Sequence, residues 1–285
     1  MITTELKSFH YLENGEVTFS IMDTIKTQKK LDCGAYELTY AEHPRNEVVL
    51  KKVEDETIHK INNFTDKDKI DSLLASFFSK RTIDKVTALG FHHKIGFLFY
   101  GKEGTGKTSI AKHYYDIGIR EQNALVFYMN QYNERLIETW DFIRDIRKIQ
   151  DNPIYVIFEE FDGYLERKYN HPILKSILDG SKSITNCLIF ASTNKIDDIP
   201  DEIKNRVSRF KFVINVEGIQ NKEDIFEIVH KMLNSEFSNE QITGFSEELY
   251  GRTLDEIKQF CLDKIMNLPP YIKQKRTMGF KQNTN

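Results

Sequence analysis

Cysteine is scarce: three residues, Cys33, Cys187 and Cys261, widely spaced and odd in number. They make neither a disulfide framework nor a metal knuckle, and they fit a reducing, cytoplasmic setting. Long apolar runs are missing as well. The longest, such as Ile95 to Tyr100, fall far below the ~18 residues a membrane span needs, so no membrane insertion is expected. The first residues (MITTELKSFHYLENGE) lack the basic-then-apolar pattern of an export signal. Neither sign of charge dominates: a formal net charge of −3 gives no global sign of nucleic-acid binding. The eight histidines are scattered, with no pair at the i, i+4 spacing of a helical zinc site. What is present has the balance of a soluble globular chain, 40% hydrophobic and 29% charged. Its 285 residues suffice for one large domain with smaller attachments.

The hydrophobic period changes along the chain. Residues 1–60 alternate in the strand manner (Val17, Phe19, Ile21; Ala35 to Tyr40; Glu47 to Leu50) between the turn signals Asn14-Gly15, Cys33-Gly34 and His43-Pro44. They predict a small β-rich module. From Thr65, with Asp68 three residues on as a capping pair, Ile70, Leu73, Leu74, Phe77 and Phe78 make one helical face. Strand and helix then alternate over 61–218, with apolar strands predicted at Ile95–Tyr100, Ala124–Met129, Ile154–Phe158, Leu188–Ser192 and Phe210–Val213. Strands that are apolar throughout imply a parallel sheet covered on both faces. Residues 219–268 read as helical only. Ile225, Phe226, Val229, Met232 and Leu233 share one face, and Leu254, Ile257, Phe260, Cys261 and Ile265 another, behind a Thr253…Glu256 capping box. Residues 269–285 form a basic tail after the break at Pro269-Pro270.

Directly after the strand ending at Tyr100 comes Gly101-Lys-Glu-Gly-Thr-Gly-Lys-Thr108, then a helix opening at Ser109. This is a P-loop. Gly101, Gly104 and Gly106 let the backbone wrap so that its N–H groups, Thr105 included, converge on phosphates. Lys107 places a point charge on the β and γ oxygens, Thr108 offers a hydroxyl to Mg²⁺, and the helix end adds its dipole. Elsewhere the strand Ile154–Phe158 runs into Glu159, Glu160 and Asp162. With a P-loop in the same chain, Glu159 is expected to support the Mg²⁺ shell and Glu160 to polarise the attacking water, while Asp162 shapes the turn or faces a neighbouring subunit. Asn194, closing the strand that starts at Leu188, is placed to touch a γ-phosphate or that water. Downstream lies Ile199-Pro-Asp-Glu-Ile-Lys-Asn-Arg206-Val-Ser-Arg209-Phe.

Together these residues resemble the AAA+ ATPases. The resemblance implies a Walker A motif at 101–108, Walker B at 154–162, sensor 1 at Asn194 and arginine fingers at Arg206 and Arg209. Ile173 to Gly180 (ILKSILDG) is similar to the family's Leu-Asp-Gly helix end. Within the family the chain most resembles the ATPase of mitochondrial respiratory-complex-III assembly. Its acid pair begins with Glu, and its approach to the P-loop is like Leu89 to Gly101. The implied fold is a P-loop α/β domain, a parallel five-stranded sheet sandwiched by helices, with a small helical lid and the N-terminal β-rich module. The implied chemistry is ATP hydrolysis with Mg²⁺: Glu159 supports the metal through water, Glu160 activates water, and Asn194 positions it. The implied partner is a homo-oligomeric ring, a hexamer or similar, acting on a protein client recruited through 1–60 or the tail. Two other readings stay open: a clamp-loader type acting on nucleic acid, and an ATP-gated assembly scaffold with slow turnover. The sequence departs from the family at Lys102-Glu103, where Pro-Pro is usual. It shows no aromatic-hydrophobic-Gly pore loop, Tyr132 being the nearest residue, and Arg252 sits where AAA proper has no arginine.

Overall fold

The computed structural model describes residues 6–11, 17–22, 30–41, 47–53, 66–129 and 135–267. The chain divides into two compact units, 1–216 and 217–285.

In the first unit the strands Lys94–Tyr100 (β5), Leu125–Met129 (β6), Ile154–Phe158 (β7), Cys187–Thr193 (β8) and Phe212–Asn215 (β9) lie parallel in the order β6-β7-β8-β5-β9. In β5, β6, β7 and β8 alternate residues enter different cores, which is why these strands are apolar; in the edge strand β9 Phe212 and Ile214 face one core and Val213 is exposed. On one face Phe127, Val156, Phe158, Ile189 and Leu98 pack with Trp140 and Ile143 of α4 (Leu136–Ile149) and Leu174 and Ile177 of α6 (Asn170–Asp179). On the other, Phe97, Phe99, Val126, Tyr155 and Phe190 pack with Ile70 and Leu74 of α1 (Lys67–Phe77) and Ile110 and Tyr114 of α3 (Lys107–Gln122). Phe190 is the hub of the second face, stacked on Phe97 with ring centres 5.0 Å apart and on Tyr155 at 6.0 Å.

The sheet is wider than the five strands expected. Gly34–Ala41 (β3) pairs parallel with β6, and Glu47–Lys52 (β4) pairs antiparallel with β3, giving seven strands in all. Two strands of the region read as an N-terminal module thus extend the central sheet. Gln150, at the end of α4, ties them in: its side chain accepts from Leu31 N at 2.8 Å and donates to Leu31 O at 3.2 Å. Leu6–Tyr11 (β1) and Val17–Met22 (β2) form a separate antiparallel pair.

Several boundaries differ from expectation by one or two residues; those of α1 and β9 have a visible cause. Helix α1 starts after Asp66, whose φ is 66° and whose side chain makes no cap bond; Thr65 lies outside the described residues. Strand β9 starts two residues late. Arg209 N and Phe210 N both donate to Arg206 O, at 2.8 and 3.2 Å, which holds 206–210 in a turn. Phe210 instead tucks edge-on against Phe161, with ring centres 5.4 Å apart. A further helix, Lys80–Ala88 (α2), is capped by the Ser79 side chain. Tyr132 and the tail at 269–285 lie outside the described residues.

The second unit packs Lys222–Leu233 (α8) against Asn239–Glu248 (α9) and Leu254–Ile265 (α10). Ile225, Val229, Leu233, Leu254, Ile257 and Cys261 are buried. The Thr253–Glu256 capping box is formed, and Ser238 with Gln241 makes a second one on α9. Among the described residues no helix is long and apolar enough to cross a membrane.

Candidate nucleotide-binding site

The parallel order β7-β8-β5 brings three motif-bearing strand ends, Phe158, Thr193 and Tyr100, to one edge of the sheet. From Tyr100 the chain curls through 101–106. Gly104 and Gly106 have φ of 76° and 98°, values glycine adopts without steric cost. Thr105 folds the loop on itself by donating Oγ1 to Lys102 O at 2.9 Å, and α3 starts at Lys107 immediately behind Gly106. Lys107 is buried, its Nζ donating to Gly101 O at 3.0 Å and Lys102 O at 2.7 Å. The ammonium therefore sits inside the curl. Lys107 belongs to the first turn of α3, a helix of 16 residues whose positive dipole end lies there. Thr108 is half-buried and Ser109 buried beside it.

This donor set fits a nucleotide polyphosphate and Mg²⁺. The curl supplies N–H groups and one ammonium for anionic oxygens, and Thr108 and Glu159 supply hard oxygens. Among the described residues no group of three or more His, Cys, Asp or Glu could hold an ion by itself. Mg²⁺ is commonly held by one or two protein oxygens together with phosphates and water.

Glu159 and Glu160 face different surroundings. Glu159 is half-buried and Glu160 exposed. The Tyr115 phenol is held well above its ordinary pKa by burial first, then by Tyr128, with the Asp116 and Glu159 carboxylates adding to the effect. Burial does the same to Tyr164, again with Glu159 contributing, so the Glu159 charge acts inward on both rings. Glu160 takes φ 48° and ψ 55°, a left-handed conformation that costs a non-glycine residue roughly 1–2 kcal/mol. Such strain persists only where the surroundings over-determine it. The next residues, Phe161–Leu165 (α5), provide them: Gly163 N donates to Glu160 O at 2.8 Å, Thr193 Oγ1 to Asp162 Oδ1 at 2.7 Å, and Tyr164 OH to Met129 O at 2.7 Å. The result is a cavity of about 290 Å³ lined by Glu160, Asp162, Glu166, Arg167, Asn194 and Lys195. Glu160 and Asn194, thirty-odd residues apart in sequence, thus share one wall.

The two candidate finger arginines lie elsewhere and differ from each other. Both pair with Asp179, at the C-terminal end of α6: Arg206 Nε with Oδ2 at 3.0 Å, and Arg209 Nε with Oδ1 at 3.1 Å. Arg206 keeps 61% of its side chain exposed. Arg209 keeps 5% and donates Nη1 to Glu202 O at 2.6 Å. Ser208 Oγ donates to Asp179 Oδ2 at 2.9 Å. Lys94, opening β5, donates Nζ to Leu178 O and, at 2.9 Å, to Ser208 O. The turn also presses on Gly96, where a Cβ would come within 2.1 Å of Arg209 O. Burial alone would raise the Asp179 pKa, but hydrogen bonds from Ser208 and Arg209 and the two guanidinium charges outweigh it and hold it below the ordinary value. The cysteines are free; burial pushes the Cys187 thiol, beside Lys94 and Arg147, up to about 12. In the second unit Arg252 is exposed and pairs with Glu256 at 3.8 Å.

Sequence reasoning passed over Thr193 and gave Asp179 no partner. For Thr193 a signal existed: a polar residue ending an apolar strand, once buried, needs a hydrogen-bond partner. For Asp179 none did, because its partners are brought to it only by the fold.

Comparison with known proteins agrees with this geometry. Residues 97–217 match the family described as "ATPase family associated with various cellular activities (AAA)". Human "ATPase family AAA domain-containing protein 2B" is 24% identical over 186 residues, 59% of this chain and 13% of that protein. "Protein CdcH" of Halobacterium salinarum is 27% identical over 165 residues, 51% of this chain and 21% of the relative. The "Cell division cycle protein 48 homolog" of Archaeoglobus fulgidus is 27% identical over 209 residues, 65% of this chain and 27% of the relative. The chain thus covers a quarter or less, or little more, of each of these relatives, and residues 97–217 are an AAA ATPase domain.

Proposed function

We propose, from the AAA domain at residues 97–217, that the protein hydrolyses ATP with Mg²⁺ as an oligomeric ring and couples turnover to remodelling a protein client. The observation that carries the reading is that the curled loop at 101–108, Glu160 and Asn194 each follow the end of one of three neighbouring parallel strands, with Glu160 and Asn194 lining one cavity. The loop N–H groups and Lys107 bind the β- and γ-phosphates, and Thr108 and, through water, Glu159 hold the metal. Held there, Mg²⁺ would supply positive charge to offset that of the phosphate oxygens. Glu160 orients the attacking water and takes its proton at the carboxylate, while Asn194 fixes that water through its amide.

Arg206, with most of its side chain exposed, is the finger that enters a neighbouring subunit's site. Arg209 is instead the buried anchor of the turn that presents it. A finger in trans makes the isolated subunit nearly inactive and the ring obligatory for turnover. The acid pair beginning with Glu, together with Leu89 to Gly101, supports the complex-III-assembly subgroup. Client recruitment falls to residues 1–60 or 269–285, and the free cysteines suit a cytoplasmic setting.

A paired experiment tests this. Glu160→Gln should bind ATP, barely hydrolyse it and lock the assembly; Arg206→Ala should bind ATP and lose turnover. Parental turnover in Arg206→Ala would overturn the ring mechanism. Stimulation of the parent by a protein client supports remodelling, stimulation by single-stranded or primed DNA the loader, and nucleotide-dependent assembly without stimulation the scaffold.

A further inference from the structure

We propose that Asp162 and Thr193 form a positioning pair that sets the separation of Glu160 and Asn194, so that the pair governs turnover and not nucleotide affinity. The inference rests on the ATPase reading above and assigns roles to two residues which that reading leaves without one.

The argument starts from chain direction. Glu160 and Asn194 each lie just past the end of a strand, β7 and β8; the last residues paired between these two strands are Phe158 and Ala191, while β8 stays paired with β5 up to Thr193. Beyond them neither backbone is tied to the other by the sheet. The Thr193 Oγ1 to Asp162 Oδ1 bond, 2.7 Å long, spans that gap. Thr193 is 1% exposed and the Asp162 side chain 14%, so the bond is shielded from competing water. Thr193 Oγ1 also accepts from Lys195 N at 2.9 Å, fixing the backbone on the far side of Asn194. Lys195 Nζ closes on Asp162 Oδ2 at 3.8 Å. Asn194 is therefore bracketed by two residues that both lead to Asp162. On the other strand, Asp162 sits two residues after Glu160, whose left-handed backbone would relax if α5 were free to move. One carboxylate thus holds the acid's turn and the amide's turn together. Neither Asp162 nor Thr193 needs to touch ATP or water to matter, because misplacing a reacting group by about 1 Å can cost about a hundredfold in rate.

The test uses the full chain, with steady-state hydrolysis, equilibrium binding of a fluorescent ATP analogue, and melting temperature. Thr193→Val keeps the shape of the buried side chain and removes the donor; Asp162→Ala, nearer the surface, removes the acceptor if the first variant fails to fold. Expected is a fall in kcat of about ten- to a hundredfold in either variant, with analogue affinity within about threefold of the parent. Thr193→Ser, which restores the hydroxyl, should recover most of kcat. The double variant should be no slower than the slower single one, as for groups acting as a unit. Parental kcat in a folded Thr193→Val, or affinity falling in step with kcat, overturns the pair. Failure of the ATPase reading looks different: a parent without turnover, or a Glu160→Gln variant as fast as the parent, removes both proposals together.

Discussion

Strand β5 begins at Lys94 and ends at Tyr100, and its two ends meet opposite kinds of chemistry. At its start, charges are closed on one another: Lys94, Asp179, Ser208 and Arg209 form a lattice around the buried Arg209 side chain, with Ser208 and Arg206 on its exposed side. At its end, groups are held by backbone and short links: Glu160 is exposed on a strained turn, and Lys107 is buried with its Nζ bonded to two carbonyls of its own loop. The contrast separates stability from function. Charge at the first end holds a turn in place; at the second the turns are held by backbone bonds and the Thr193–Asp162 link.

That contrast can be broken at several points. The largest effect should come from Arg206→Ala, which removes the outward member of the lattice. Hydrolysis should fall by about 10³–10⁵, while the melting temperature barely moves, because an exposed ion pair contributes under about 1 kcal/mol. A large loss of stability with rate intact would invert the assignment. Next is Asp179→Ala, which strands the buried Arg209 guanidinium without its counter-charge. Breaking such a pair costs roughly 3–5 kcal/mol, measured as a shift in the denaturant midpoint, and ATP analogue binding should persist under conditions where the variant is folded.

A smaller and graded effect follows from acid. The Asp179 pKa is lowered in the folded state, so the unfolded chain takes up the proton more readily. Its contribution is complete above the ordinary aspartate value near ~3.9 and is lost as pH falls through that value toward the lowered one. Melting temperature measured from neutral pH down to about 3 should fall, and Asp179→Asn should flatten part of that slope. An unchanged slope would mean the lattice carries no net stabilisation.

The parts of this molecule that could be read before seeing it are those written locally. The P-loop at 101–108, the five apolar strands and the Thr253–Glu256 box each depend on residues a few positions apart. What escaped reading depends on residues that meet only in space. The alternation in Ala35 to Tyr40 says strand, but not that its neighbour is β6. Arg206 and Arg209 look equivalent at their spacing, and only Asp179 and the close approach of Gly96 make one a surface group and the other an anchor. Phe210 reads as the first residue of a strand until Phe161 claims its ring.

The pairing of β3 with β6 has a consequence for synthesis. Gly34 meets Leu125, about ninety residues later in the chain, and translation delivers about 5–20 residues per second. During that wait of several seconds or more, the β3–β4 hairpin leaves the ribosome with the β3 edge that will receive β6 still open. An open strand edge is a template for pairing with another chain, so the nascent protein is most exposed to misassembly before β6 has been made.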